Sequence, residues 1–336
     1  MPIDLSTSYL GLDLPHPVVA SASPLSETLD GIRRLEDGGA AAIVLFSLFE
    51  EQLRQENAAF AHLTEIGTES FAESLSYFPP LADYAVGPEA YLDLIRRARE
   101  SVDVPIIASL NGVTPTGWTD FARLMQQAGA QAIELNIFYL PADLTLSGRE
   151  VEQRYVDVVR SVAETVSLPV AVKLSPYFSA VGEMAQRLVE AGAQGLVLFN
   201  RFYQPDFDLE TMQVEPRLEL SSPSEIRLPL LWLAVFFGRI DASLAASTGV
   251  ETGREVVKYL LAGADAVMTT SALLRHGPGY CRTLVQELHD WLDRRDYVSV
   301  RQMQGSMSQR HVVDPTAFER ANYIRTLQSF RPPYRN

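Results

Sequence analysis

Short runs that are apolar at every position recur along the chain, separated by longer segments whose apolar residues fall every three or four positions. The first pattern predicts strands buried on both faces, and the second predicts amphipathic helices packed over them. Pro17-Val-Val-Ala-Ser21 opens the series, with Ser26-Glu27 expected to start a helix. Ala41-Ala-Ile-Val-Leu-Phe46 is the second strand, followed by a long polar and aromatic excursion to about Gly87. A helix over 88–99 leads to Val104-Pro-Ile-Ile-Ala-Ser109, and one over 117–127 leads to Ala132-Ile-Glu-Leu-Asn136. A helix running to 166 precedes Leu168-Pro-Val-Ala-Val-Lys-Leu174, and the next stops at Gly192 before Gly195-Leu-Val-Leu-Phe199. After an irregular insertion over 202–225 and a helix over 227–239 come Ser243-Leu-Ala-Ala-Ser-Thr248 and Ala264-Asp-Ala-Val-Met268, with a helix between them that stops at Gly263.

Eight such strands alternating with helices predict an α/β fold, a (β/α)8 TIM barrel with insertions after strands 2 and 6. Residues 1–305 are assigned to the barrel and 306–336 to a surface tail. No Gly-x-Gly-x-x-Gly follows the first strand, which argues against a Rossmann domain. The net charge of −14 argues against nucleic acid or an anionic membrane as the main partner. Cys281 is the single cysteine, so this chain alone builds no disulfide, thiolate metal site or iron–sulfur cluster, and it reads as a packing residue. No metal site is expected. The most apolar run, 228–237, is shorter than the ~20 residues of a membrane span, and no signal peptide pattern opens the chain; both fit a cytoplasmic protein.

The last two strands end in Ser, Thr and Gly. Thr248-Gly249 and Thr270-Ser271 precede helix starts, where free N–H groups and small hydroxyls suit a phosphate. In such barrels the phosphate site lies after strands 7 and 8. Two ordinary strand-to-helix connections with Gly stops would read the same way. At the other strand ends lie Ser21, Ser47, Asn111, Asn136, Lys173 and Asn200-Arg201. Carboxamides donate and accept together, which suits the edge of a planar heterocycle. Lys173 either meets an anionic partner at the barrel mouth or pairs with Glu134, two residues before Asn136. His16 reads as structural, and His62 in the excursion is a lesser candidate to approach a substrate.

These residues resemble the class 1 dihydroorotate dehydrogenases and the FMN barrels around them. The resemblance runs from Leu10 to about Leu292. It is carried by Leu10-Gly-Leu-Asp-Leu-Pro-His-Pro17, Ile107-Ala-Ser-Leu-Asn-Gly112, Glu134-Leu-Asn136, Val172-Lys-Leu-Ser-Pro176, Ser247-Thr-Gly-Val-Glu-Thr-Gly253 and Thr270-Ser-Ala-Leu273. It implies FMN as cofactor, with Thr248, Gly249, Thr270 and Ser271 at the phosphate and Lys173 beside the flavin pyrimidine ring. Ala20, Ser21, Ser109 and Asn136 match further flavin-pocket positions. Asn136 and Asn200 match carboxamides that hold orotate, with Asn111 close by.

Two departures bear on the substrate. Leu45 stands where the family has a lysine in the second strand, and 74–80 offers no clear counterpart to a substrate-binding asparagine. Tyr139 aligns with the family's Cys or Ser base, and a phenol of pKa near ~10 needs substantial lowering to act so at neutral pH. Tyr139 reads equally as an aromatic wall; Ser147 and Asp143 are the other candidates in that loop. The expected activity is an FMN-dependent oxidation of dihydroorotate to orotate, as in pyrimidine biosynthesis, or of a related small cyclic substrate. The resemblance implies a soluble acceptor such as fumarate, and a homodimer. The alternatives are a flavin-free phosphate-binding lyase or isomerase and a catalytically silent barrel subunit.

Overall fold

A computed structural model describes residues 2–51, 88–112, 118–201, 205–215 and 218–329. A hairpin of β1 (Thr7–Tyr9) and β2 (Leu12–Leu14) precedes the repeating units. The barrel strands are β3 (Val18–Ala20), β4 (Ile43–Val44), β6 (Ile106–Asn111), β7 (Ala132–Asn136), β8 (Val170–Lys173), β9 (Gly195–Leu198), β12 (Ser243–Ala246) and β13 (Ala266–Thr269). All pair in parallel, and Val267, Met268 and Thr269 of the last strand align with Val18, Val19 and Ala20 of the first, which closes the (β/α)8 barrel. The short β5 (Leu48–Phe49) continues past β4 and pairs with β6.

The strands are apolar at every position because both faces are covered. Outward residues pack under a ring of helices: α1 (Leu29–Asp37), α2 (Pro88–Ser101), α3 (Trp118–Ala128), α4 (Gly148–Ala163), α5 (Val181–Glu190), α6 (Arg227–Phe236), α7 (Gly253–Ala262) and, after the short α8 (Ser271–His276), α9 (Tyr280–Arg294). Inward residues form a second core of Val19, Val44, Ile107, Ala171, Val197, Ala245 and Met268. The hairpin stops the barrel floor with Tyr9, Leu10 and Leu14. Gly195 is the point of closest approach, since a Cβ there would lie 2.6 Å from Leu10 Cδ2.

Helix starts follow local capping chemistry. Pro24 and Ser23 form a separate 3-10 turn, Pro24–Ser26, so α1 begins not at Ser26-Glu27 but after Thr28, whose side chain accepts from Gly31 N–H. The insertion after strand 6 is not wholly irregular: β10 (Asp206–Asp208) and β11 (Gln213–Glu215) form an exposed hairpin. Residues 305–309 bond back to α6 and α7 through Gly305, Met307 and Gln309, ahead of the terminal helix α11 (Ala321–Ser329) that follows the short α10 (Val300–Met303). The excursion from 52 to 87, including His62 and 74–80, and the chain end from 330 lie outside the described residues. Among the described residues no helix is long and apolar enough to cross a membrane.

Candidate active site

The parallel register carries polar strand ends to one mouth in layers. Asn111 aligns with Asn136 and Asn136 with Lys173, so three adjacent strands present one row facing the barrel interior. One layer lower, Ser109 aligns with Glu134 and Glu134 with Ala171. Asn200, at the end of the next strand, donates from Nδ2 to Asn136 Oδ1 at 2.6 Å. The Lys173 ammonium lies 3.5 Å from Ser21 Oγ and 3.7 Å from Glu134 Oε1. Both residues of that pair are buried.

A cavity of about 250 Å³ opens beside this row, and its walls include Ser21, Lys173, Asn200, Thr248, Gly249, Thr270 and Ser271. Backbone conformation shapes its far end, where Thr248 (φ +82°) and Gly249 (φ +72°) both have left-handed backbone. For a β-branched residue such as Thr248 that conformation is strained and needs support from its surroundings. Tyr259 supplies it, donating to Thr248 O at 2.7 Å from a fully buried ring. Thr270 donates to Ser21 O at 3.4 Å, joining the last barrel strand to the first across the site.

Ser221, which the sequence pattern did not single out, completes this end. It accepts from Gly249 N–H at 3.1 Å and shares a 2.9 Å hydrogen bond with Ser271. Arg275 holds its segment by donating to Ser221 O at 2.9 Å and to Leu220 O at 3.2 Å, while pairing with Glu251. His276 Nε2 meets the other Glu251 oxygen at 2.8 Å. No residue pattern announces Ser221, because it reaches the cup from an insertion fifty positions away from Ser271.

Other sequence candidates fall elsewhere. The start of α7 is not free for an anion: Thr252 and Glu255 form a capping box, and Gly253 N–H donates to Glu287 at 2.6 Å. The phosphate-sized hollow therefore uses only the residues before α7 and those around Thr270 and Ser271. Ala20 packs in the outer core, and Ser109 is fully buried with its hydroxyl bonded to Ser47 Oγ at 2.8 Å. Leu45, at the family's lysine position, is buried in the same outer core. Tyr139 does not line the cavity; its ring packs against that core under Arg154, whose guanidinium carbon is 4.2 Å from the ring centroid. Ser147 caps α4 in a capping box with Glu150, and exposed Asp143 accepts from Thr145 N–H and Oγ1. Among the described residues no group of three or more His, Cys, Asp or Glu is arranged to hold a metal.

A closed parallel barrel with a lysine and a carboxamide row at its mouth, and a hydroxyl-lined hollow after its last two strands, defines the phosphate-binding class of (β/α)8 enzymes. The sequence profile described as Dihydroorotate dehydrogenase matches residues 85–292, more than half the chain, and the chain belongs to that family of oxidoreductases. It is 27% identical over 309 residues to an Aeropyrum pernix protein provisionally named dihydroorotate dehydrogenase A (fumarate), covering 90% of this chain and 97% of that one. It is 25% identical over 312 residues to the catalytic subunit of dihydroorotate dehydrogenase B (NAD(+)) of Methanothermobacter thermautotrophicus, with the same coverage. It is also 24% identical over 338 residues to the NAD-dependent dihydropyrimidine dehydrogenase subunit PreA of Escherichia coli, covering 96% of this chain and 80% of that one. The chain is thus a flavin-dependent oxidoreductase of the class that acts on CH–CH groups.

Proposed function

We propose that the flavin is FMN and that the substrate is a small cyclic amide, dihydroorotate first among them. The observation that carries this reading is Lys173, a buried ammonium opening into the same cavity as the hydroxyls of Thr248, Thr270 and Ser271. That donor set fits a phosphate at one end and a polar heterocycle at the other. Thr248, Gly249, Thr270 and Ser271 hold the phosphate, with Ser221 as a further hydroxyl beside them. Ser21 and Lys173 meet the pyrimidine edge, where a cation favours negative charge. Bound flavin supplies the acceptor for a hydride leaving the substrate.

The rest is work for the chain's own side chains. Asn136 and Asn200, already bonded to one another, orient the planar substrate with Asn111 alongside. Tyr139, covered by Arg154, acts as a wall of the loop after the fourth barrel strand rather than as the base. A soluble acceptor reoxidises the flavin, as the name of the Aeropyrum relative suggests, and the site of action is the cytoplasm. The dihydropyrimidine dehydrogenase relative makes uncharged dihydropyrimidines the second substrate class.

The test is anaerobic. Purified protein is expected to carry FMN and to be bleached by dihydroorotate or by a dihydropyrimidine. Ser271→Asp, which places a carboxylate in the hollow, should fold and lose most of its FMN. Colourless protein that gains nothing from added FMN would favour a flavin-free lyase or isomerase of a sugar phosphate. Flavin that no such substrate bleaches would favour a silent subunit.

A further inference from the structure

The layer beneath the carboxamide row holds a carboxylate that the proposed chemistry leaves unused. Glu134 is 1% exposed, and neither of its oxygens accepts a hydrogen bond among the described residues. Two fully buried phenols feel its charge. Tyr9 is pushed well above the ordinary phenol range, by burial first and then by Glu134 and Asp265; Tyr91 is pushed up mainly by burial. Neither is a cation. Among the described residues, Lys173 is the one cation within 4 Å of Glu134.

A buried carboxylate left without a cation is costly, so the two residues are bound to one another energetically. Their geometry is nevertheless loose. At 3.7 Å the contact is longer than a hydrogen bond, and the 3.5 Å contact to Ser21 Oγ is at the limit of one. The ammonium is therefore drawn to the barrel axis by charge while its N–H groups are not spent on Glu134.

We propose that Glu134 is a positioning residue for Lys173: it tethers the ammonium from below, leaves its donors to the barrel mouth, and divides its charge, so setting how strongly Lys173 stabilises negative charge there. The inference rests on the flavin reading given above. Glu134→Gln keeps the shape and removes the counter-charge, so the Lys173 charge acts undivided on the flavin.

In flavin-loaded full-length protein, Glu134→Gln should raise the flavin midpoint potential by about 30 mV, a tenfold shift in the two-electron reduction equilibrium. A merely structural role would lower occupancy and leave the potential of the bound flavin where it was. A second measurement needs no flavin. In the apoprotein, Lys173→Met strands Glu134 and should lower the melting temperature, and adding Glu134→Gln should recover part of that loss. An unmoved potential in flavin-bearing Glu134→Gln overturns the proposal, as does a double variant no more stable than Lys173→Met. Coupling in the apoprotein of a chain that takes up no flavin supports the tether and overturns the flavin reading instead.

Discussion

A single histidine shows how burial without a functional role still leaves a measurable signature. His16 accepts from Val18 N–H through Nδ1 at 3.3 Å at the entry to the first barrel strand. Burial pushes its pKa down from 6.5 to about 4, with a hydrogen bond to the Gly39 backbone opposing the shift. The unfolded chain therefore binds a proton between pH 6.5 and about 4 that the folded chain does not. The stability this group contributes is present above pH 6.5 and is lost as pH falls through that window. The loss amounts to up to about 3 kcal/mol. Urea unfolding at pH 7 and pH 4.5 should show that component in the native protein and lack it in His16→Asn. Cys281 has the same kind of environment: it is fully buried, with its thiol pushed up to about 12, in keeping with a packing residue. Gly249 is different again. A Cβ there would lie 2.6 Å from Ile226 Cγ2 and 2.7 Å from Ser222 O, so any substitution mixes a clash with whatever charge it brings. Ser271, partly exposed at a helix start, separates the two effects.

At the scale of elements, the loop after β7 shows which residues a sequence pattern can and cannot assign. Ser147 and Glu150 stand three apart before an apolar-periodic run, and in the structure they form the capping box that starts α4. Ser147→Ala should cost about 1 kcal/mol, read as a lower melting temperature, with turnover unchanged. A base at that position would instead lose nearly all activity. Tyr139→Phe should likewise keep most of its kcat, because the ring contacts with Arg154 and the core survive the loss of the hydroxyl. The strands were legible because runs such as Gly195-Leu-Val-Leu are apolar at every position, which two covered faces require. The ion pair of Glu134 with Lys173 was legible from strand parity alone, since both lie in known register positions on neighbouring strands. The hairpin over Thr7–Leu14 was not legible, because its alternation covers too few residues to register as a strand pattern. Nor was Ser221, whose place depends on how an insertion folds back over strands far from it in sequence.

The whole molecule depends on closure at both ends of the barrel. At the floor, Gly195 leaves room for Leu10, and Leu10 N–H donates to Ser243 Oγ at 3.0 Å. Gly195→Val should displace the hairpin and cost about 1–3 kcal/mol, seen as a lower urea midpoint and as early hydrogen exchange at Tyr9 and Leu10. At the mouth, the seam between the last and first strands runs through the site itself. Ser21 N–H donates to Thr269 O at 3.0 Å, and Thr270 reaches back to Ser21 O. The groups proposed to hold the cofactor thus come from opposite ends of the chain, some two hundred and fifty residues apart. This makes the order of synthesis matter. A nascent chain that has emerged only through its seventh barrel strand can assemble most of its sheet, yet it has no seat for a phosphate and no neighbour for Ser21. Cofactor loading belongs to the finished polypeptide, and any truncation that removes β13 abolishes the site while leaving most of the fold's strands intact.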